Sequence, residues 1–133
     1  MEKKLLVYTD GGSRGNPGHS AVGVIIKNQD EEIIFKSGKY IGETTNNVAE
    51  YTAVITALEW LVENNASDQI NFYSDSLLIV NQLKGIYRIK DKKLIALSIK
   101  VKDLEKIISS KIIFHYLVRE KNKLADALVN KTL

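Results

Sequence analysis

The chain has 133 residues, a formal net charge of +3, 44% hydrophobic residues and 26% charged residues, which predicts one soluble domain over residues 1–133. The absence of cysteine excludes disulfides, thiolate chemistry and a cysteine-ligated zinc site. No apolar run reaches the roughly 18 residues that cross a membrane, and the N-terminal run is too short for a signal peptide, so a cytoplasmic protein without a membrane partner is expected.

Three β-strands are predicted first, in the segments KLLVYTD (4–10), SAVGVIIKN (20–28) and EEIIFKSGKYI (31–41). Their apolar and β-branched runs, bounded by glycine and turn residues, are typical of an antiparallel meander. The segment NNVAEYTAVITALEWLVENN (46–65) then places apolar residues at helical spacing, with asparagines at both ends, and predicts an amphipathic helix.

Helices and strands alternate in the rest of the chain. Strands are predicted at 69–75 and 111–118, and helices at 76–85, 91–110 and 122–133. The resulting order, β-β-β-α-β-α-α-β-α, joins an antiparallel hairpin sheet to crossover helices with parallel strands. This order favours an α/β fold with a five-stranded mixed sheet and helices on its faces.

Glycines cluster in the segment VYTDGGSRGNPG (7–18), directly after an apolar strand that is expected to end at Asp10. A dinucleotide-binding loop would be followed by a helix, whereas a strand follows here, and the G-K-[ST] of a phosphate-binding loop is missing. Two interpretations stay open. The glycines form either a plain hairpin turn or a loop whose backbone approaches an anion.

Four acidic residues lie at the ends of predicted strands or in predicted helices. Any one of them alone would be interpreted as a helix cap or a surface group. Asp10 and Asp75 each end a predicted strand, so parallel pairing of these strands would place them roughly 5 Å apart. Glu50 is expected in the first turn of its helix, on the stripe of Val54 that faces the core, and Asp126 lies in the last helix. Clustered carboxylates repel one another unless a cation joins them, and hard cations such as Mg²⁺ or Mn²⁺ prefer oxygen ligands.

A family resemblance rests on four segments: YTDGGSRGNPG, TTNNVAEYTAVITAL, YSDSLLIVNQL and REKNKLADALVN. In this order and context they resemble type 1 ribonuclease H over nearly the whole chain. The resemblance implies the ribonuclease H fold, with sheet order 3-2-1-4-5. It also implies hydrolysis of the RNA strand of RNA/DNA hybrids by a mechanism with two divalent ions, Mg²⁺ or Mn²⁺, leaving 3′-hydroxyl and 5′-phosphate ends, with no obligatory protein partner.

The same resemblance implies roles for individual residues. The metal ligands would be Asp10, Glu50, Asp75 and Asp126, with Asp10 shared by both ions. Substrate contacts are expected from Gly11, Gly12, Asn16, Thr45, Asn46 and Asn47, with Thr45 near a DNA phosphate and the asparagines near 2′-hydroxyls and base edges.

Two departures from the family pattern qualify these roles. A basic insertion of well-studied bacterial members is missing, and the short connector from Tyr87 to Lys93 is either a reduced basic patch or an ordinary charged connector. The loop before Asp126 lacks the family's histidine, so Arg119 is the candidate for phosphate binding there, with a surface ion pair to Glu120 or a neighbouring acid as the alternative. Two other functions stay open: a hybrid-binding module without activity, and another nuclease of the superfamily.

Overall fold

Five strands form one mixed sheet in the computed structural model, which describes residues 2–65 and 67–133. The strands are β1 (Lys4–Gly15), β2 (Gly18–Lys27), β3 (Ile33–Thr44), β4 (Gln69–Ser74) and β5 (Lys111–Tyr116). Their spatial order is β3-β2-β1-β4-β5, which confirms the predicted order. β2 pairs antiparallel with β1 and β3, whereas β4 pairs in parallel with β1 and β5.

Helices cover both faces of the sheet. They are α1 (Asn46–Asn64), α2 (Leu77–Leu83), α3 (Lys92–Ile107) and α4 (Lys123–Thr132), and a single 3₁₀ turn (Arg119–Lys121) precedes α4. α1 packs against β1 and β2 with α3 beside it, and α4 packs across β1, β2 and β3. None of these helices, in the described part of the chain, is long and apolar enough to cross a membrane.

The helix α1 is fixed by its cap and by the core. Thr45 is its N-cap, where the side-chain oxygen accepts a hydrogen bond from the Val48 N–H at 3.3 Å. Val54, Leu58 and Leu61 are buried along the face that packs on the sheet. Because burying each such side chain contributes about 1.5–3 kcal/mol, the rotation of α1 about its axis is well determined, and Glu50 is turned inward with them.

Two expectations about local structure were wrong. β1 does not end at Asp10, because its residues from Gly11 to Gly15 continue to pair with β2. What ends before this point is the parallel pairing with β4, whose last pair is Tyr8 with Tyr73. β1 and β4 therefore separate in a fork while β1 stays in the sheet. Glu50 was expected in the first turn of α1, but that turn contains no acidic residue, and Glu50 lies at the start of the second turn.

Candidate active site

Three carboxylates meet at the fork between β1 and β4. Asp10 and Asp75 each lie two residues beyond the last pair of these parallel strands, so both are at the same edge of the sheet. Glu50 reaches the same place from α1. One oxygen from each of these three side chains lies within 4.8 Å of the others, which confirms the predicted approach of Asp10 and Asp75.

Two successive glycines let helices approach β1 on both faces. A Cβ on Gly11 would lie 2.3 Å from the carbonyl carbon of Ala49 in α1, and a Cβ on Gly12 would lie 2.9 Å from Cγ1 of Val129 in α4. The Gly11 N–H also donates a hydrogen bond to Oε1 of Glu50. Both glycines lie in β1 and pair with β2, so the interpretation as a hairpin turn was wrong for them. Their contact with substrate stays a prediction.

Asp126 and Arg119 stand together beside the three carboxylates. Asp126 lies outside the group of three, yet it is close enough to Asp10 for its charge to raise the Asp10 pKa. Its Oδ1 is 3.5 Å from Nη2 of Arg119, and its Oδ2 accepts a hydrogen bond from Nδ2 of Asn130 at 3.3 Å. Arg119 thus forms the ion pair that was the alternative to phosphate binding, but with Asp126 rather than Glu120, and its side chain stays 75% exposed.

A cavity of about 480 Å³ collects most of the predicted site. Its wall includes Asp10, Gly11, Gly12, Asn46, Asn47, Glu50, Asp75, Arg119 and Asp126. The two predicted residues outside it, Asn16 and Thr45, line a neighbouring cavity of about 550 Å³ together with Asn47, Lys92 and Lys93. The Asn46 N–H donates to Oδ1 of Asn16 at 3.0 Å, which ties the β1–β2 turn to the start of α1.

The pKa values of the three clustered carboxyl groups are all raised. Burial, with the charges of Asp75 and Asp126, raises the pKa of Asp10 to about 7. Burial and the neighbouring Asp10 charge raise the pKa of Glu50 well above its ordinary range, although the Gly11 N–H opposes this. Burial also raises the pKa of Asp75, against the effects of the Asn122 amide and the Arg119 guanidinium. A cation among these oxygens would relieve the repulsion, and their all-oxygen donor set fits a hard divalent ion.

Sequence reasoning missed two asparagines of this region. Asn130 lies four residues after Asp126 on α4, and this spacing places both side chains on one helix face, so the partner of Asp126 was readable from the sequence. Asn122 stands at the N-cap position of α4, where asparagine is ordinary, but its side chain makes no capping bond. Nothing in the sequence separates it from a plain helix cap.

Comparison with known proteins identifies the family. A family model described as reverse transcriptase-like matches residues 8–132. The ribonuclease HI of Haemophilus ducreyi is 33% identical over 119 residues, which are 86% of this chain and 74% of that protein. The chain belongs to the ribonuclease H family. The family's ribonuclease HI of Halobacterium salinarum is 39% identical over 130 residues, covering 98% of this chain.

Solved ribonuclease H structures share the fold closely. The crystal structure of LC11-RNase H1 in complex with an RNA/DNA hybrid superposes with a TM-score of 0.92 at 40% identity, over 96% of this chain and 94% of that one. Some relatives are longer. The chain spans 64% of the length of the Halobacterium ribonuclease HI and 35% of that of a bifunctional protein from Mycobacterium tuberculosis.

Proposed function

We propose that the chain hydrolyses the RNA strand of RNA/DNA hybrids, leaving 3′-hydroxyl and 5′-phosphate ends. The observation that carries this proposal is the meeting of Asp10, Glu50 and Asp75 within 4.8 Å, in a cavity that Asp126 and Arg119 also line. The hybrid bound to LC11-RNase H1, at 40% identity, supports the substrate class.

The carboxylates would hold two divalent ions, Mg²⁺ or Mn²⁺. Asp10 would be shared by both ions, Glu50 and Asp75 would complete one site, and Asp126 would belong to the other. The donor set supports this assignment, because hard divalent ions take carboxylate oxygens. Burial, together with the neighbouring acidic charges, raises the pKa values of Asp10 and Glu50, and a bound cation would offset both effects. Bound there, such ions supply an activated water and stabilise the leaving oxygen in phosphodiester cleavage.

The chain's own residues orient the site and bind phosphate. The Gly11 N–H holds one oxygen of Glu50, which leaves the other oxygen of that carboxylate for the ion. Arg119 is largely exposed and paired with Asp126 across 3.5 Å, so its guanidinium is free to turn toward the scissile or leaving phosphate. A guanidinium stays protonated at any working pH, so Arg119 binds charge and takes no proton.

The hybrid would lie across both cavities. Asn46 and Asn47 border the carboxylates and would contact 2′-hydroxyls and base edges in the shallow groove, with Asn16 beside them. Thr45 lines the neighbouring cavity with Lys92 and Lys93, so a phosphate of the DNA strand would meet a hydroxyl and two ammonium groups there. This arrangement favours the basic-patch interpretation of the connector that ends at Lys93.

Cleavage of end-labelled substrates tests the proposal. The parent protein is incubated with an RNA/DNA hybrid, a DNA duplex and an RNA duplex, each with Mg²⁺, Mn²⁺ or chelator, and the product ends are identified. We expect hybrid cleavage with either ion and none with chelator. Asp10→Asn should be inactive, whereas Asp68→Asn makes the same chemical change at an exposed position just before β4 and should keep parental activity.

The other outcomes separate the alternatives. Binding of the hybrid without cleavage under any ion would contradict the proposal and leave a hybrid-binding module. Cleavage of the DNA duplex in preference to the hybrid would indicate another nuclease of the superfamily.

A further inference from the structure

One buried side chain fills the fork between β1 and β4. Asn122 is 1% exposed, and its Nδ2 donates a hydrogen bond to the Thr9 carbonyl at 2.9 Å. Thr9 is the first residue of β1 beyond its pairing with β4. The Asn122 amide thus takes the place of β4 as the partner of β1, immediately beside Asp10.

The segment that leads to Asn122 crosses the end of β4. Beyond β5, the Leu117 N–H still donates to the Ser74 carbonyl at 3.0 Å, on the far side of β4 from β1. Asn122 then anchors on β1, so the residues between them run from one side of β4 to the other. This crossing segment, residues 117–122, carries Arg119 and leads directly into the helix of Asp126.

The Asn122 side chain does not cap α4. It stands at the N-cap position of α4 but makes no side-chain capping bond, and its buried Oδ1 has no hydrogen-bond partner among the described residues. A buried acceptor without a partner costs about 1–3 kcal/mol. Fold stability alone therefore does not account for an asparagine here. Its amide also lies near Asp75, where it opposes the burial that raises the pKa of that carboxyl.

We propose that Asn122 is a positioning residue, which sets the spacing of Asp75 and Asp126 relative to Asp10 through its bond to Thr9 and the crossing segment. This inference rests on the proposed function, because the spacing matters for divalent ions held by these carboxylates. Asn122 is buried beneath the site and has no surface with which to touch the hybrid. Its loss should therefore weaken ion binding and turnover while substrate affinity is kept.

The test compares three variants of the full chain. Asn122→Ala removes the amide, and Asn122→Ser keeps a smaller hydrogen-bond donor. Asn71→Ala is the matched control, since Asn71 is also buried in the sheet and accepts hydrogen bonds from Gln69 and His115 away from the cavity. Mn²⁺ binding to the metal-free proteins is measured by calorimetry, kcat and KM by hybrid cleavage, and folding by thermal denaturation.

Asn122→Ala should bind Mn²⁺ about 10–100-fold more weakly, as is usual when a residue that orients metal ligands is lost. Its kcat should fall by a similar factor, with KM for the hybrid within about twofold of the parent, and Asn122→Ser should recover part of both losses. Asn71→Ala should lose stability but keep parental ion affinity and kcat.

Parental Mn²⁺ affinity and kcat in Asn122→Ala would overturn the inference, as would equal losses in Asn71→Ala. If Asn122→Ala does not fold, Asn122→Ser decides by the same comparison: weakened Mn²⁺ binding supports the role, and parental binding overturns it. If the parent binds Mn²⁺ but does not cleave the hybrid, the proposed function fails, while the Mn²⁺ titrations still decide the role of Asn122.

Discussion

Replacing Asp10 by asparagine should stabilise the metal-free protein, and increasingly so as the pH rises. Asp10 is only 8% exposed, and burial with two acidic neighbours raises its pKa from 3.8 to about 7. Between about pH 4 and pH 7 the folded protein therefore keeps a proton on Asp10 that the unfolded chain has lost. The folded state binds more protons in this window, so the free energy of unfolding decreases as the pH rises.

The size of this effect follows from the pKa. At about 1.4 kcal/mol per pH unit, a rise from 3.8 to about 7 corresponds to at most about 4 kcal/mol, fully expressed above pH 7. Asparagine has nearly the same shape and no charge, so Asp10→Asn should gain roughly 2–4 kcal/mol over the parent at pH 8 and little at pH 4. For a chain of this length that gain is roughly 10 °C in Tm.

Thermal denaturation in chelator at pH 4, 6 and 8 measures the difference between parent and variant. Asp68→Asn is the control, because it removes the same charge from an exposed position just before β4. A stability difference that is the same at pH 4 and pH 8, or a lower Tm for Asp10→Asn at pH 8, would refute the clustered-carboxylate explanation. Cleavage of the hybrid at the parental rate by Asp10→Asn would refute its role in catalysis.

Three further predictions concern phosphate binding and the glycines. Arg119→Ala should lower turnover about 10–1000-fold with Tm nearly unchanged, since it removes one charge-stabilising contact, and Arg119→Lys should recover part; parental turnover would remove Arg119 from the site. Substituting both Lys92 and Lys93 by alanine should make the plot of log binding constant against log salt concentration shallower by about 2, measured for the hybrid with a non-cleaving variant. An unchanged slope would place the basic contacts elsewhere. Gly11→Ala should lower Tm far more than Gly12→Ala, because its Cβ would meet backbone at 2.3 Å rather than the tip of a valine at 2.9 Å; equal losses would contradict this.

The element order and the sheet order could be predicted because the apolar pattern is strong. The strand around Val7 and the helix around Leu58 bury their apolar residues as their periodicities indicate. The approach of Asp10 and Asp75 followed from parallel strands that finish at one edge, and the inward turn of Glu50 followed from the stripe that it shares with the core residues of α1.

The remaining features depend on contacts between distant parts of the chain. Glycines after Asp10 indicate a turn, yet pairing with β2 keeps Gly11 and Gly12 in the strand. The bond between Asn122 and Thr9 joins residues 113 positions apart, and local sequence carries no sign of it. The acid that pairs with Arg119 is Asp126 rather than its neighbour Glu120, which only the path of the crossing segment decides.

Gly11 and Gly12 leave β1 without side chains at the centre of the candidate site. The helix that carries Glu50 rests on one side of this strand, and the helix that carries Asp126 rests on the other. Bulk added at Gly11 would therefore act first on the helix of Glu50, at a high cost in stability, and bulk added at Gly12 would act on the helix of Asp126. A single strand therefore gives a protein engineer separate access to the Glu50 side and to the Asp126 side of the candidate site.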